Sequence, residues 1–139
     1  MVDLLKSKYS KNKKLIKLPK VFIITLCRAV IGQALLKTNV KYPDCLDLKE
    51  FLDKDFGDYT GCTKYSLYAV KVCCGYSKEY GHYYSFIKID NKWYCFNDSN
   101  VEYVLKISNS YSSTEAYGLF YIRQDLNWKI NFKKLIYLF

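Results

Sequence analysis

His82 is the only histidine of the chain, and six cysteines accompany it: Cys27, Cys45, Cys62, Cys73, Cys74 and Cys95. A thiol becomes a strong nucleophile when a base takes its proton, and an imidazole serves best when a third group fixes its ring. The sequence around His82 offers such a group. The runs Tyr83–Ile89 and Lys92–Phe96 flank Asp90-Asn91, a hairpin signal. With a two-residue turn, Ile89 pairs with Lys92 and, counting outward, Tyr84 faces Asn97. Side chains alternate with period two, so His82, Tyr84 and Asn97 share a face, with His82 and Asn97 as diagonal neighbours. A three-residue turn would shift the register and bring Asp98 to that face instead. Gly81, lacking a Cβ, would let a ligand approach the backbone beside the histidine. The residues alone leave the nucleophile open, and a hydrogen-bonded packing histidine beside a turn fits the same pattern.

The cysteines exclude more than they assign. No C-x-x-C pair occurs, and one histidine cannot complete a tetrahedral zinc set at the usual spacings, so no metal and no cofactor is expected. With 6 Gly and 2 Pro the chain lacks the loop-rich make-up of a disulfide-stapled secreted domain. Free, mostly buried thiols in a reducing compartment, cytoplasmic or nuclear, are the expectation.

Composition narrows the class. At 139 residues, half of them hydrophobic and a quarter charged, the chain holds one domain or part of one, and is neither disordered nor collagen-like. Aromatics reach 18 %, with 15 Tyr, which suits a sheet-rich fold. The longest mostly apolar run, from Val21 to Leu36, is interrupted by Arg28 and Gln33 and is shorter than the roughly 20 residues a membrane helix needs. No membrane partner is expected. The net charge of +9 is concentrated at the start, in Lys6, Lys8, Lys11, Lys13, Lys14, Lys17 and Lys20. Such a run could meet phosphates, but no aromatics interleave with it as a stacking platform would need. It reads as a solvated arm, against a nucleic-acid partner.

The elements that must position the histidine can be placed coarsely. Residues 1–12 form a polar, basic lead-in. Val21–Leu26 suits a buried strand, Tyr42-Pro43-Asp44 a turn, and Leu46-Asp47-Leu48 a short alternation. Residues 53–63, with Gly57 and Gly61, form a turn-rich connection. Tyr65–Cys74 predicts a central strand, with Tyr65, Leu67 and Ala69 on one face and Tyr68, Val70 and Val72 on the other. Val101, Tyr103 and Leu105 alternate, Ala116–Arg123 is a further strand, and residues 127–139 read as a strand or a short helix. No internal repeat is visible. Mostly antiparallel sheet follows.

The segment YSLYAVKVCCGYSKEYGHYYSFIKIDNKWYCFNDSNV, followed by SSTEAYGLFYI, resembles the histidine-box half of ubiquitin-specific proteases, the papain-like cysteine deubiquitinases. The family pattern runs Y-x-L-x-A-V-x-x-H-x-G, G-H-Y, W-x-x-F-[DN]-D-x-x-V and A-Y-x-L-F-Y. Upstream, KKLIKLPKVFIITLCRA resembles L-P-x-V-L-I-I-x-L-K-R-F, and Lys37 to Phe51 resembles K-x-x-V-x-Y-P-x-x-L-D-L-x-x-F. The likeness keeps motif order from Lys13 to Ile122.

The resemblance implies an α+β fold, the C-terminal, mostly antiparallel part of a papain-like protease domain. Residues 13–123 would form that part, 1–12 the lead-in and 124–139 a C-terminal extension. It implies His82 as general base, Asn97 as the residue that orients it, and Asp98 as a neighbouring acid in a supporting role. Gly81 and Tyr83 would help form the narrow channel for ubiquitin's Gly-Gly tail. The implied activity is a ubiquitin carboxyl-terminal hydrolase acting on ubiquitin or a ubiquitinated protein. Two departures stand out. The family's Cys box, G-x-x-N-x-G-N-T-C-Y-x-N-S, has no counterpart among these residues, and the histidine upstream of G-H-Y aligns with Cys73. Also, L-K-R-F reads Leu26-Cys27-Arg28-Ala29. An upstream segment carrying the Cys box is therefore an expected partner, and the isolated chain is expected to be inactive. The alternatives are a catalytically inactive ubiquitin-binding or scaffold protein and a basic nucleic-acid-associated domain.

Overall fold

The longest strand, apolar on both faces, is the one on which the others assemble. In the computed structural model, which describes residues 14–28, 35–53, 59–75, 81–105, 107 and 114–126, this is β3, Lys64–Gly75. The other strands are β1 (Val21–Thr25), β2 (Cys45–Asp47), β4 (Gly81–Ile89), β5 (Lys92–Asn97), β6 (Asn100–Val104) and β7 (Ala116–Arg123). The spatial order is β1-β7-β3-β4-β5-β6, and every pair is antiparallel. β3 is long enough for two neighbours on one side, β2 along Lys64–Ser66 and β4 along Ala69–Gly75. Among the described residues the only helical piece is a 3-10 turn, Lys49–Phe51. The expectations for residues 1–12, for Gly57 and for 127–139 lie outside the described residues.

One face of the sheet carries the main core: Leu46, Leu48, Tyr65, Leu67, Val70, Val72, Phe86, Leu119 and Tyr121 among others. Tyr65 and Tyr121 are fully buried, and their hydroxyls donate to the carbonyls of Pro19 and Pro43, at 2.5 and 2.8 Å. Each buried ring thereby tethers a crossing segment to the sheet without leaving a polar atom unsatisfied. The opposite face holds a smaller cluster, Ala69, Ile87 and Ile89, flanked by Tyr68, Tyr94, Phe96 and Phe120.

Three expectations are corrected here. Alternation along β3 breaks, because a β-bulge between Leu67 and Ala69 inserts Tyr68 opposite β7. Tyr65 and Leu67 therefore share the main-core face with Val70 and Val72, while Ala69 joins Tyr68 on the other. A second shift between Lys71 and Val72 makes Tyr117 the extra residue of β7, and the register recovers. The run after Val21 is an edge strand, not a buried one: Phe22 and Ile24 pack on the core, but Ile23 is 56 % exposed. A β-branched run specifies a strand and leaves its place in the sheet open. Finally, all six thiols are free, but only Cys73 is buried; Cys27 and Cys45 are exposed, and Cys62, Cys74 and Cys95 are half-buried.

Candidate functional site

The β4–β5 hairpin turns through Asp90 and Asn91, at φ 48° and 62°. Both left-handed residues mark the turn type whose twist matches the flanking strands, and Asp and Asn tolerate that conformation better than other non-glycine residues. The two-residue register follows: Ile89 pairs with Lys92, Lys88 with Trp93, Phe86 with Cys95 and Ser85 with Phe96. Of the two registers the residues alone allow, this is the one the family resemblance selects, with Asn97 in the orienting position, and it carries His82 and Asn97 to a common face. β5 ends at Asn97, which pairs with Asn100 across a turn that opens on Asp98 at φ 51°.

At the open end of this hairpin, His82 Nε2 meets Asn97 Oδ1 at 2.5 Å. The amide oxygen only accepts, so Nε2 carries the hydrogen and, in the neutral ring, Nδ1 keeps its lone pair. The imidazole stacks on Tyr84 with centroids 6.2 Å apart, and Tyr84 leans edge-on to Phe86 at 5.6 Å, inside the core. The ring is thus braced from the core and aimed by an amide, while its residue remains exposed. Such an arrangement can take up and return a proton at Nδ1.

The remaining sequence candidates fall around this pair in different ways. Gly81 begins β4 opposite Gly75, so that end of the β3–β4 ladder carries no side chain on either strand. Asp98 lies in the turn, exposed, and the structure does not bring it to the imidazole. Tyr83 points to the other face of β4. There Tyr117 meets its ring edge-on at 6.1 Å and Lys71 Nζ lies 4.9 Å above it. A hydrogen bond with the Cys73 thiol, helped by burial, pushes the Tyr83 phenol up to about 12. Cys74 faces His82 across the ladder, yet its thiol donates to the His82 carbonyl at 3.5 Å. Tyr117 and Lys71 escaped the sequence reading, although Tyr117 sits in the A-Y-x-L-F-Y motif. The bulge that turns it toward Tyr83 leaves no mark on the residue pattern.

The chain can be set beside known proteins. A family model described as ubiquitin carboxyl-terminal hydrolase matches residues 5–121. The human ubiquitin carboxyl-terminal hydrolase 17-like protein 12 is 38 % identical over 119 residues, covering 84 % of this chain and 21 % of the relative. The human 17-like protein 6 is 38 % identical over 109 residues, covering 76 % of this chain and 26 % of the relative. Among solved structures, the SAGA Ubp8/Sgf11/Sus1/Sgf73 DUB module bound to ubiquitin aldehyde superimposes with a TM-score of 0.64. It shares 28 % identity, over 82 % of this chain and 26 % of the solved one. A yeast SAGA DUB module carrying a mutant Sgf73 gives 0.63 at 29 % identity, over 82 % of this chain and 25 % of the other. The chain therefore spans about a fifth to a quarter of the length of these curated relatives. Sequence, antiparallel sheet and family model agree, and the chain belongs to the ubiquitin carboxyl-terminal hydrolase family.

Proposed function

We propose that this chain supplies the base half of a thiol-dependent ubiquitinyl hydrolase, the C-terminal part of an α+β papain-like domain. The observation that carries the reading is the bond from His82 Nε2 to Asn97 Oδ1. The nucleophilic thiol belongs to a Cys box, which no segment of these 139 residues resembles. When that thiol stands beside His82, Nδ1 takes its proton, and the thiolate attacks the carbonyl of ubiquitin's terminal glycine. The tetrahedral intermediate expels the amine, which leaves with the proton from Nδ1, and a thioester remains. Water then gives a proton to Nδ1 and adds to the thioester, releasing the thiol and the ubiquitin carboxylate. Asn97 holds the ring in the productive tautomer throughout. Asp98 adds negative charge one residue away, through solvent. Gly81 leaves room for the Gly-Gly tail, and Tyr83, backed by Tyr117 and Lys71, contributes the channel wall on the other face.

Residues 13–123 would hold this part of the domain, between the lead-in 1–12 and the extension 124–139, and ubiquitin or a ubiquitinated protein is the partner. Six free thiols support a reducing compartment, cytoplasmic or nuclear. A ubiquitin–fluorophore assay tests the proposal. The chain alone should give no turnover. Mixing it with a Cys-box half from a family member should restore turnover that thiol alkylation or His82→Ala abolishes. Turnover in the mixture that survives His82→Ala would overturn it. The alternative, an inactive ubiquitin-binding or scaffold protein, predicts saturable ubiquitin binding with no turnover in either arm.

A further inference from the structure

Arg28 is the one charged side chain buried among the described residues, at 4 % exposure. Its Nε donates to the Ala116 carbonyl at 2.6 Å, and its Nη1 donates to the carbonyls of Leu36 and Thr38, both at 2.8 Å. The Arg28 carbonyl in turn accepts the Leu36 N–H at 2.9 Å. A guanidinium is costly to remove from water, so a site that holds one uses its forked donors for something an apolar side chain cannot do. Here the fork reaches the β7 bulge in one direction and the segment 36–38 in the other.

The bulge is held on every side. Leu26 N–H donates to the Tyr117 carbonyl at 2.8 Å, Cys73 N–H donates to the Glu115 carbonyl at 3.0 Å, and Arg28 takes the carbonyl between them. Tyr117 is the extra residue of that bulge, and its ring leans on Tyr83. Just beyond it, Gly118 leaves no room to spare: a Cβ there would meet the Phe120 ring at 3.3 Å. We infer that Arg28 is a positioning residue for the ubiquitin-tail surface: it clamps the β7 bulge so that Tyr117 stands against Tyr83. This rests on the function proposed above. Arg28 touches neither the tail nor His82; it acts through Ala116 on the Tyr117 ring.

The test uses the full chain, with Arg28→Gln, Arg28→Lys, Tyr117→Ala and the double variant Arg28→Gln/Tyr117→Ala. Two readings are taken by NMR: the ring-to-ring cross-peak between Tyr83 and Tyr117, and the dissociation constant for isotopically labelled ubiquitin. Arg28→Gln should erase the cross-peak and weaken ubiquitin by about tenfold or more, the scale of one lost charged hydrogen bond. Arg28→Lys should recover part of both, and the double variant should bind no worse than Tyr117→Ala alone. The His82 ring nitrogens should keep their wild-type signature, which a general collapse of the fold would not allow. A retained cross-peak with unchanged affinity overturns the inference, as does an additive double variant. Should Arg28→Gln fail to fold, Arg28→Lys carries the same comparison against Tyr117→Ala. Failure of the wild-type chain to bind ubiquitin would count against the proposed function instead, and the cross-peak would still decide the role of Arg28.

Discussion

At His82 the third group is an amide, so it can aim the imidazole and fix its tautomer but lends the ring no charge. Under the proposed function, the contribution of Asn97 is therefore geometric. In the complemented enzyme, Asn97→Ala should lower kcat by roughly a hundredfold with little change in KM, since the ring is lost as an oriented base while the tail surface stays intact. Asn97→Asp preserves an acceptor at the same place and should stay within about tenfold of the wild-type rate. Steady-state kinetics on a ubiquitin–fluorophore separates the two, and equal losses would show that more than the acceptor matters. Cys74 makes the opposite case. Its thiol lies on the His82 face but spends its hydrogen on a backbone carbonyl. Cys74→Ser should leave kcat within about twofold, as a half-exposed substitution outside the reacting groups does. A collapse in rate there would make Cys74 the nucleophile and remove the need for a Cys box.

At the scale of elements, the site depends on a two-residue turn holding register over the five pairs from Ile89–Lys92 to Ser85–Phe96 and on to the open end of the hairpin. Asp90 and Asn91 both sit at positive φ. Asn91→Val places a β-branched residue in the left-handed region and should cost about 1–2 kcal/mol in denaturant unfolding, while Asn91→Gly should be neutral or mildly stabilising. A Val variant as stable as wild type would contradict the turn assignment. This hairpin was legible in the sequence because three signals agreed: period-two alternation, a turn pair tolerant of positive φ, and a motif that left one register standing. Other elements were not, for physical reasons. The bulges at Tyr68 and Tyr117 answer to pairing between strands that are some fifty residues apart, and no local pattern records that. Arg28 looks like a solvated charge in the sequence, because its three carbonyl partners lie 8, 10 and 88 residues away along the chain. The edge position of β1 has the same origin: β7, arriving last, takes the inner place.

Over the whole molecule, the tyrosines that build the core also set its limits with pH. Burial raises the phenols of Tyr65, Tyr68 and Tyr121 above their ordinary value of 10, and the Cys73 hydrogen bond does the same for Tyr83, to about 12. Each stays protonated in the fold after its unfolded counterpart has ionised. A raised pKa contributes stability that is fully present below pH 10 and is lost as pH rises through the folded value. Stability should therefore hold across neutral pH and fall above about pH 10, with tyrosinate absorbance and loss of sheet signal rising together. On the acid side the effect is weaker and opposite in sign. The Thr63 hydroxyl and the Lys49 N–H lower the Asp47 carboxyl from its ordinary 3.8, so that contribution fades only as pH falls below that point. Tyr121→Phe removes one of the raised groups at the cost of its bond to Pro43, and should shift the alkaline transition upward while lowering stability at neutral pH. An alkaline transition that stays in place in this variant, with tyrosinate forming well before the sheet is lost, would mean that the buried phenols titrate in the folded state and do not drive its unfolding.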